Sequence, residues 1–406
     1  MGEVAPSASF HYFGYGIRDK DLAENKLARY LVGIRGVDFE DGNDIETDTD
    51  EGHTGVSNLD MGSYRKNAES APTWEDKFRY SEGLEDTFYL LLGTYTVNAD
   101  SRNASVFDYH FEMPPDTEED LPTATIYNGL AKTKFDARAF DNALLNELEI
   151  NFSSEDAPTI SPTFVSDYNY FNLVNPTRNF PTISNFVKAP HTQVLIGEVG
   201  ADEDGMVPID CFTEASLSIN HNAESQSCHG DEFGKNTKIM GSREATGSVT
   251  MPWVKGTKFF ETEFEGYDKY SHKVSEEITT KQIWLKCKGG DITRISTSNE
   301  ISAGERIISQ ETKQVEGETV TYYTISTGIP YETLIKLPEC EITSVTSPKS
   351  GDEAKDLTME FKVLEKPTRS YLTVDMVSDL EELHIDSTGI TLDELYPDEA
   401  PFVTAP

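Results

Sequence analysis

Cysteine is among the scarcest residues of this 406-residue chain, which contains only Cys211, Cys228, Cys287 and Cys340. No two of them form a CxxC pair, so the sequence indicates neither a disulfide scaffold nor a zinc ribbon. Cys287 and Cys340 each lie in phase with neighbouring apolar residues. We therefore predict that both are small buried hydrophobic residues.

Long apolar runs and familiar catalytic motifs are also missing. No run approaches the length of a bilayer-spanning helix, and no apolar core follows a basic start, so we expect neither a membrane anchor nor a secretory signal. The sequence contains no phosphate-binding P-loop, no Gly-x-Ser-x-Gly elbow and no His-Glu-x-x-His helix. These absences favour a structural protein over an enzyme, and we predict no catalytic, cofactor-binding or metal-ligating residues and no cofactor.

Basic residues are few, since 34 Lys and Arg stand against 72 Asp and Glu and the formal charge is −38. This balance argues against a protein that wraps nucleic acid through direct phosphate contacts. It does not exclude DNA as a passenger. Solubility and adaptation to high salt are alternative explanations of the same acidity.

Three arrangements of polar residues could serve as chemical sites, but the sequence supports each of them only weakly. Cys228 and His229 are adjacent, so on an extended chain their side chains point to opposite faces, and no base or third group is marked for a thiol nucleophile. Paired carboxylates for glycoside hydrolysis are not indicated, because any acidic chain supplies many such pairs. An acidic loop lacks the EF-hand arrangement, and we favour a solvated or partner-facing loop over a Ca²⁺ site; its residues are Asp38, Glu40, Asp41, Asp44, Glu46, Asp48, Asp50 and Glu51.

Alternating apolar and polar residues predict half-buried antiparallel strands. In residues 106–113, Phe107, Tyr109, Phe111 and Met113 fall on one face. Similar runs are Leu121–Tyr127, Leu145–Phe152, Ala215–Asn220, Gly247–Trp253 and Leu357–Val363. The 19 Pro and 28 Gly also favour a mainly β protein over a helical one.

Two helices and several long loops complete the predicted organisation. The apolar run between Gly83 and Gly93 predicts a compact helix packed on the sheet, and Lys258–Tyr270 predicts a helix that covers it. Residues 40–77 have no sustained period and predict a long acidic insertion. Asn220–Gly241 predicts a polar loop, Thr297–Glu318 a hairpin-like region, and Arg369–Pro406 an extended acidic tail.

The order of these segments resembles the tail tube proteins of long-tailed bacterial and archaeal viruses. The opening part is an aromatic strand, a Leu-Pro-Thr-x-Thr strand at Leu121–Thr125, a short helical or turn segment and an Asn-Glu-Leu-Glu-Ile strand at Asn146–Ile150. Downstream, Phe212–Asn220, a polar loop and Gly241–Met251 match the family's strand, loop and Arg-x-x-Thr-Gly-Ser-hydrophobic strand order. The closing strands correspond to Tyr331–Cys340 and Leu357–Leu364, and the likeness covers roughly Val32–Val374.

The resemblance implies a tail-tube-type β-sandwich or barrel with a flanking helix, long loops and insertions. Residues 1–31 would be an N-terminal segment, and residues 32–374 the tail-tube β domain with its insertion loop at 40–77. Residues 375–406 would be an acidic C-terminal extension. Regions 40–77 and 369–406 depart from the family pattern, and we expect them to order only on assembly, so that deleting either leaves a folded monomer that cannot elongate.

In function, the resemblance implies a structural virion protein without enzymatic activity. Its copies would form stacked, hexameric rings that make up the tail tube, the conduit for genome ejection, with an acidic lumen. The implied partners are the protein itself and the tape measure, tail terminator and baseplate proteins, with viral DNA passing through the lumen without specific binding. It would reside in the virion tail after assembly in the host cytoplasm. The alternatives are a baseplate or distal tail adaptor, and a β-sandwich carbohydrate-active enzyme.

Overall fold

The structure is a computed structural model, and it describes most of the chain. The residues outside the description are 1–10, 24, 35–36, 41–43, 50–62, 70, 81–82, 114–120, 131–134, 167, 175–184, 189–190, 210, 227–234, 240, 253–279, 303, 316–317, 347–355, 367–369 and 396–406. The described part is mainly β with short helices, which confirms the predicted fold class.

The strands follow one another in the order β1 (His11–Arg18), β2 (Lys26–Leu27), β3 (Val32–Ile34), β4 (Val37–Glu40), β5 (Asp44–Thr49), β6 (Ser63–Glu69), β7 (Thr73–Lys77), β8 (Arg79–Tyr80), β9 (Thr94–Asp100), β10 (Asn103–Glu112), β11 (Thr123–Leu130), β12 (Phe135–Ser153), β13 (Thr159–Val165), β14 (Tyr168–Val174), β15 (Asn185–Phe186), β16 (Thr192–Gly197), β17 (Val207–Pro208), β18 (Glu214–Asn220), β19 (Glu224–Gln226), β20 (Lys235–Ile239), β21 (Glu244–Pro252), β22 (Thr280–Ser296), β23 (Arg306–Val315), β24 (Glu318–Thr346), β25 (Asp356–Val363), β26 (Thr373–Ser378), β27 (Ile385–Asp386) and β28 (Ile390–Thr391). The α-helices are α1 (Leu84–Leu92) and α2 (Leu392–Leu395).

The core strands form one continuous, mostly antiparallel sheet, and two sections of it, called sheet I and sheet II below, share one hydrophobic core. Sheet I runs in the order β7, β13, β12, β18, β21, β25 and the C-terminal end of β24. Sheet II runs in the order β9, β10, β26, β24, β22 and β16. Along each strand, apolar residues alternate with polar ones, so the inner faces of both sheets contribute to one large buried cluster.

Two long strands connect the sections of the sheet. The N-terminal half of β12 pairs with β11 and β14, whereas its C-terminal half pairs with β13 and β18 in sheet I. Asn142 lies between the halves with a positive φ of 50°, beside an irregularity in the ladder. β24 pairs with β26 at Glu332–Lys336 and with β25 at Cys340–Thr346. Bulges bend such strands, which lets one strand serve two sheets.

Helix α1 begins after Gly83 and ends at Gly93, as predicted. Gly83 has φ 100° and Gly93 has φ 84°, left-handed conformations that glycine adopts without a Cβ clash. Eight residues of the helix are buried, so α1 lies inside the fold. Phe88 packs on Phe78 and on Phe111 of β10, each at 6.2 Å between ring centroids.

The predicted extended tail is wrong for residues 371–395, which belong to the folded body. β26 lies between β10 and β24 in sheet II, so the predicted boundary at residue 375 falls inside a core strand. Beyond it, β27 pairs with β1 and β28 pairs with β2. Met376 and Leu383 are buried.

The predicted structureless insertion at 40–77 is also wrong for the residues that the structure describes there, which lie mostly in β5, β6 and β7. β5 and β6 pair with each other, and β7 forms ladders with β4 and with β13 of sheet I. Trp74 of β7 is buried and stacks on Phe164, with the ring centroids 5.2 Å apart. Deleting this region or residues 371–395 would therefore remove core strands, which contradicts the expectation of a folded monomer.

Most predicted strands are confirmed, with two qualifications. The segment between Tyr127 and Leu145, expected to be helical or a turn, is largely strand, because β11 extends to Leu130 and β12 begins at Phe135. The polar loop at Asn220–Gly241 contains the short hairpin of β19 and β20. The helix predicted at Lys258–Tyr270 lies outside the described residues.

Candidate functional site

The side chains that first suggested chemistry give no reactive centre in the described part of the chain. Cys287 and Cys340 are buried, as predicted, and burial raises the pKa of both thiols far above the ordinary range. Cys228 and His229 lie outside the described residues, as do the side chains of the acidic loop apart from Glu40. Among the described residues, no group of three or more His, Cys, Asp or Glu side chains is arranged to hold a metal ion.

The outward face of sheet I consists mostly of short hydroxyl side chains with carboxylates among them. We call it the hydroxyl face. The ladder register places the following residues on it: Thr73, Glu75, Lys77, Glu147, Glu149, Asn151, Thr159, Ser161, Thr163, Ser216, Ser218, Asn220, Glu244, Thr246, Ser248, Thr250, Thr358, Glu360 and Lys362. Their neighbours along each strand point into the core.

Hydrogen bonds between side chains of neighbouring strands connect residues of this face. Ser216 and Ser248 are 2.8 Å apart between hydroxyl oxygens, and Thr250 and Thr358 are 3.1 Å apart. Ser218 donates a hydrogen bond to Glu147. Such pairs stabilise neighbouring strands, and they hold short polar side chains of this face against one another.

β23 and residues 318–327 of β24 form a β-hairpin in which β23 is exposed, whereas residues 320–324 are half-buried and residues 325–327 are buried. We call it the arm. All ten residues of β23 are exposed, and β23 pairs with β24 alone, so that no described strand covers its outer edge. Most of the large exposed hydrophobic residues in the described structure lie on the arm or at its root: Ile295, Ile301, Ile307, Ile308 and Val315. Exposed apolar residues and a free edge together mark a surface that another chain can cover.

The two faces of the arm differ in chemistry. On one face, Thr312 and Thr321 face each other at 3.2 Å, and Gln314 donates to Thr319 at 2.6 Å. The register places Val315, Val320 and Tyr322 on the opposite face, where Lys313 and Glu311 form an ion pair. The arm thus presents one polar face, one partly apolar face and an unpaired edge.

Glu305 fixes the root of the arm. Its carboxylate accepts two hydrogen bonds from Arg294, at 2.9 and 2.8 Å, one from Asn103 at 2.8 Å and one from the Ser302 N–H at 2.7 Å. These bonds, led by those from Arg294, lower the pKa of Glu305 to about 2. Because Asn103 opens β10, the Glu305 contacts tie the arm to the β9–β10 turn.

Sheet II presents a different outward face, which carries a network of ion pairs. Asp375 contacts His110 at 2.6 Å and Lys336 at 2.5 Å. Farther along, Glu332 contacts both Lys286 and Lys288. At one margin of this sheet, β9 pairs with β10 alone among the described strands and exposes Val97.

Sequence reasoning indicated the hairpin-like region but missed the hydroxyl face and the anchoring of the arm. The alternation of Ser and Thr with apolar residues in β18 and β21 was visible, yet only the register shows that these hydroxyls form one continuous surface. The bond between Glu305 and Asn103 joins residues about 200 positions apart in sequence, for which no local signal exists.

No model of a protein family matches the sequence, and no curated protein matches it. Within the described residues, no helix has the length and apolar character needed to cross a membrane.

Proposed function

We propose that this chain is a tail tube subunit of a long-tailed virus of bacteria or archaea. Its copies assemble into hexameric rings, and the rings stack into the tube through which the genome leaves the capsid. The observation that carries the proposal is the arm, an exposed hairpin with one partly apolar face and an outer edge that no described strand covers, on a mainly β body. The order of the strands in the sequence supplies the resemblance to this family.

The arm and a free sheet edge are two different surfaces of one chain, which suits head-to-tail assembly. A contact between unlike surfaces that closes by rotation produces a ring, and a second such contact along the axis produces a filament. β9 offers a free edge to which the edge of β23 in another copy can add by backbone hydrogen bonds. Exposed edges that would otherwise promote aggregation then become the joints of the assembly.

The hydroxyl face suits the wall of a conduit. Its short side chains are tied to one another, and its carboxylates, such as Glu147, Glu149 and Glu360, outnumber its lysines. Carboxylates repel the phosphates of DNA, and screening confines that repulsion to about 8 Å at physiological salt. Such a wall prevents DNA from adhering and leaves the centre of a wide channel free.

The proposed partners follow from this role. They are further copies of the chain, the tape measure, tail terminator and baseplate proteins, and viral DNA as a passenger. The protein would act in the virion tail, after assembly in the host cytoplasm, and would have no enzymatic activity.

Negative-stain electron microscopy of the concentrated protein tests the proposal. We expect stacked rings or tubes from the full chain and from Lys362→Gln, a control on the hydroxyl face. A variant in which residues 310–323 are replaced by Asn-Gly should remain folded and monomeric, because Ser309 and Thr324 are directly opposite and a two-residue turn can join them. Tubes formed by the shortened variant, or a full chain that stays monomeric, would contradict the proposal. Single rings that never stack would instead favour the distal tail adaptor.

A further inference from the structure

A hollow of about 310 Å³ lies on the outward side of sheet II, where β16, β22 and β24 meet. Its lining consists of His191, Gln193, Lys286, Lys288, Gly289 and Pro330. None of these residues is acidic, although the chain has 72 acidic residues against 34 basic ones. The hollow is thus lined by cationic and neutral donors, while the carboxylates that contact its lysines, Glu332 and Glu203, are not part of its lining.

The two lysines are held in place but retain donor capacity. Lys286 contacts Glu332 at 3.0 Å and Glu203 at 3.3 Å, whereas Lys288 lies 3.4 Å from Glu332 and its side chain is 49% exposed. Each ammonium group has three N–H donors, so these contacts leave donors available on both. Burial alone would lower the pKa of Lys286, but Glu332 and Glu203 outweigh it and raise the pKa, which keeps the ammonium charged.

The backbone next to the lysines is open as well. The pairing of β22 with β24 shifts register between Lys288 and Asp291, so Gly289 and Gly290 lie outside the regular ladder. A Cβ at Gly290 would meet no atom within 4 Å, whereas one at Gly289 would approach the Tyr80 ring at 3.0 Å. Glycine at position 289 thus lets the backbone lie close to that ring and form the floor of the hollow.

We propose that this hollow binds a small tetrahedral oxyanion of the phosphate class. Two ammonium groups, the Gln193 amide and the His191 ring line one concave site, and lysine ammonium groups commonly bind phosphate in proteins. The chain's charge of −38 repels anions in general, so saturable anion binding requires a built local site of this kind. Glu332 lines the neighbouring hollow with Asp108 and Asp375, so it holds the lysines without filling this site. This binding site does not depend on the tail tube function that we propose above.

Calorimetric titration of the full chain with inorganic phosphate at low ionic strength tests the site. We expect saturable binding that Lys288→Gln weakens roughly tenfold, because one charge-assisted donor is lost. Lys362→Gln is a matched control, because the Lys362 side chain is 45% exposed and also contacts one glutamate, Glu244, at 2.7 Å. That variant should bind phosphate as the unmodified chain does.

Competition identifies the ligand class. Sulfate should displace phosphate and acetate should not, because only the former is tetrahedral. The inference is overturned if phosphate shows no saturable binding, if Lys288→Gln and Lys362→Gln weaken binding equally, or if acetate competes as well as sulfate. Circular dichroism of both variants excludes unfolding as the cause of any loss.

Discussion

Replacing Glu305 with Gln should loosen the root of the arm and lower the stability of the fold. The carboxylate is nearly inaccessible, with 2% of its side chain exposed, and it accepts four hydrogen bonds. A Gln amide has one oxygen and one NH₂ group, so at least one Arg294 N–H would face another donor. The substitution therefore removes a charge-assisted pair and leaves donors unsatisfied.

The magnitude follows from the pKa of Glu305. A fall from the ordinary value of 4.5 to about 2 corresponds to about 3 kcal/mol at about 1.4 kcal/mol per pKa unit. Arg294 is partly exposed, so solvent screens the pair and we expect a loss of about 2 kcal/mol in the free energy of unfolding at pH 7. Because the folded pKa lies below the unfolded one, this stabilisation is present above pH 4.5 and is lost as pH falls through about 2.

Urea denaturation at pH 7 and hydrogen exchange of the amides in residues 294–305 provide the measurements. The control is Glu311→Gln, because Glu311 is 66% exposed and pairs only loosely with Lys313, so we expect a change below about 0.5 kcal/mol. Equal stability of Glu305→Gln and the unmodified chain, or equal losses in the two variants, would refute the reasoning.

Three further substitutions test the core. His384 lies 2.7 Å from buried Asp86. Burial lowers the pKa of His384, but the charge of Asp86 outweighs burial and raises that pKa. The pair therefore stabilises the fold below about pH 6.5, and this stabilisation is lost as pH rises through the folded pKa of His384. Unfolding midpoints between pH 6 and 9 should therefore decline more in the unmodified chain than in His384→Gln, and parallel declines would argue against the pair. Trp74→Ala should cost about 3–5 kcal/mol in urea denaturation, because the ring is buried in sheet I; a loss below about 1 kcal/mol would mean that β7 is not a core strand. Gly247→Ala should destabilise by about 1–3 kcal/mol, since the new Cβ would lie 2.4 Å from the Phe361 ring and 2.5 Å from the Ser216 carbonyl oxygen, and an unchanged melting temperature would contradict this packing.

The sequence predicts the half-buried strands well because their signal is local. Strands β18 and β25 alternate over their whole length and bury the apolar set that the alternation indicates. β10 alternates from Phe107 onward; Tyr109 and Phe111 are buried, whereas Phe107 is partly buried next to a register shift that buries Val106 instead. Helix α1 was equally predictable, since glycine at both ends defines a short apolar run. These elements need no information from distant residues.

The sequence-based predictions failed for β26 and for β7, for different reasons. Thr373–Ser378 alternates as clearly as the confirmed strands, with Val374 and Met376 buried, but it lies in a stretch rich in carboxylates, whose composition predicts an extended tail. β7 is only five residues long, and its place in sheet I depends on pairing with β13, some 90 residues later. Register and long-range pairing of this kind are set by tertiary packing, which a single sequence does not display.

The distribution of charge over the two sheets bears on the explanations of the chain's acidity. Adaptation to high salt or simple solubility would place carboxylates on any exposed surface, without regard to the sheet that bears them. Carboxylates do lie on the outward faces of both sheets, so their position alone does not separate these explanations. What differs is their surroundings: on sheet II, Glu332 and Asp375 contact Lys286, Lys288 and Lys336, whereas the glutamates of the hydroxyl face lie mostly among Ser and Thr. The conduit proposal uses this difference, because carboxylates without cationic partners repel DNA more strongly than paired ones do.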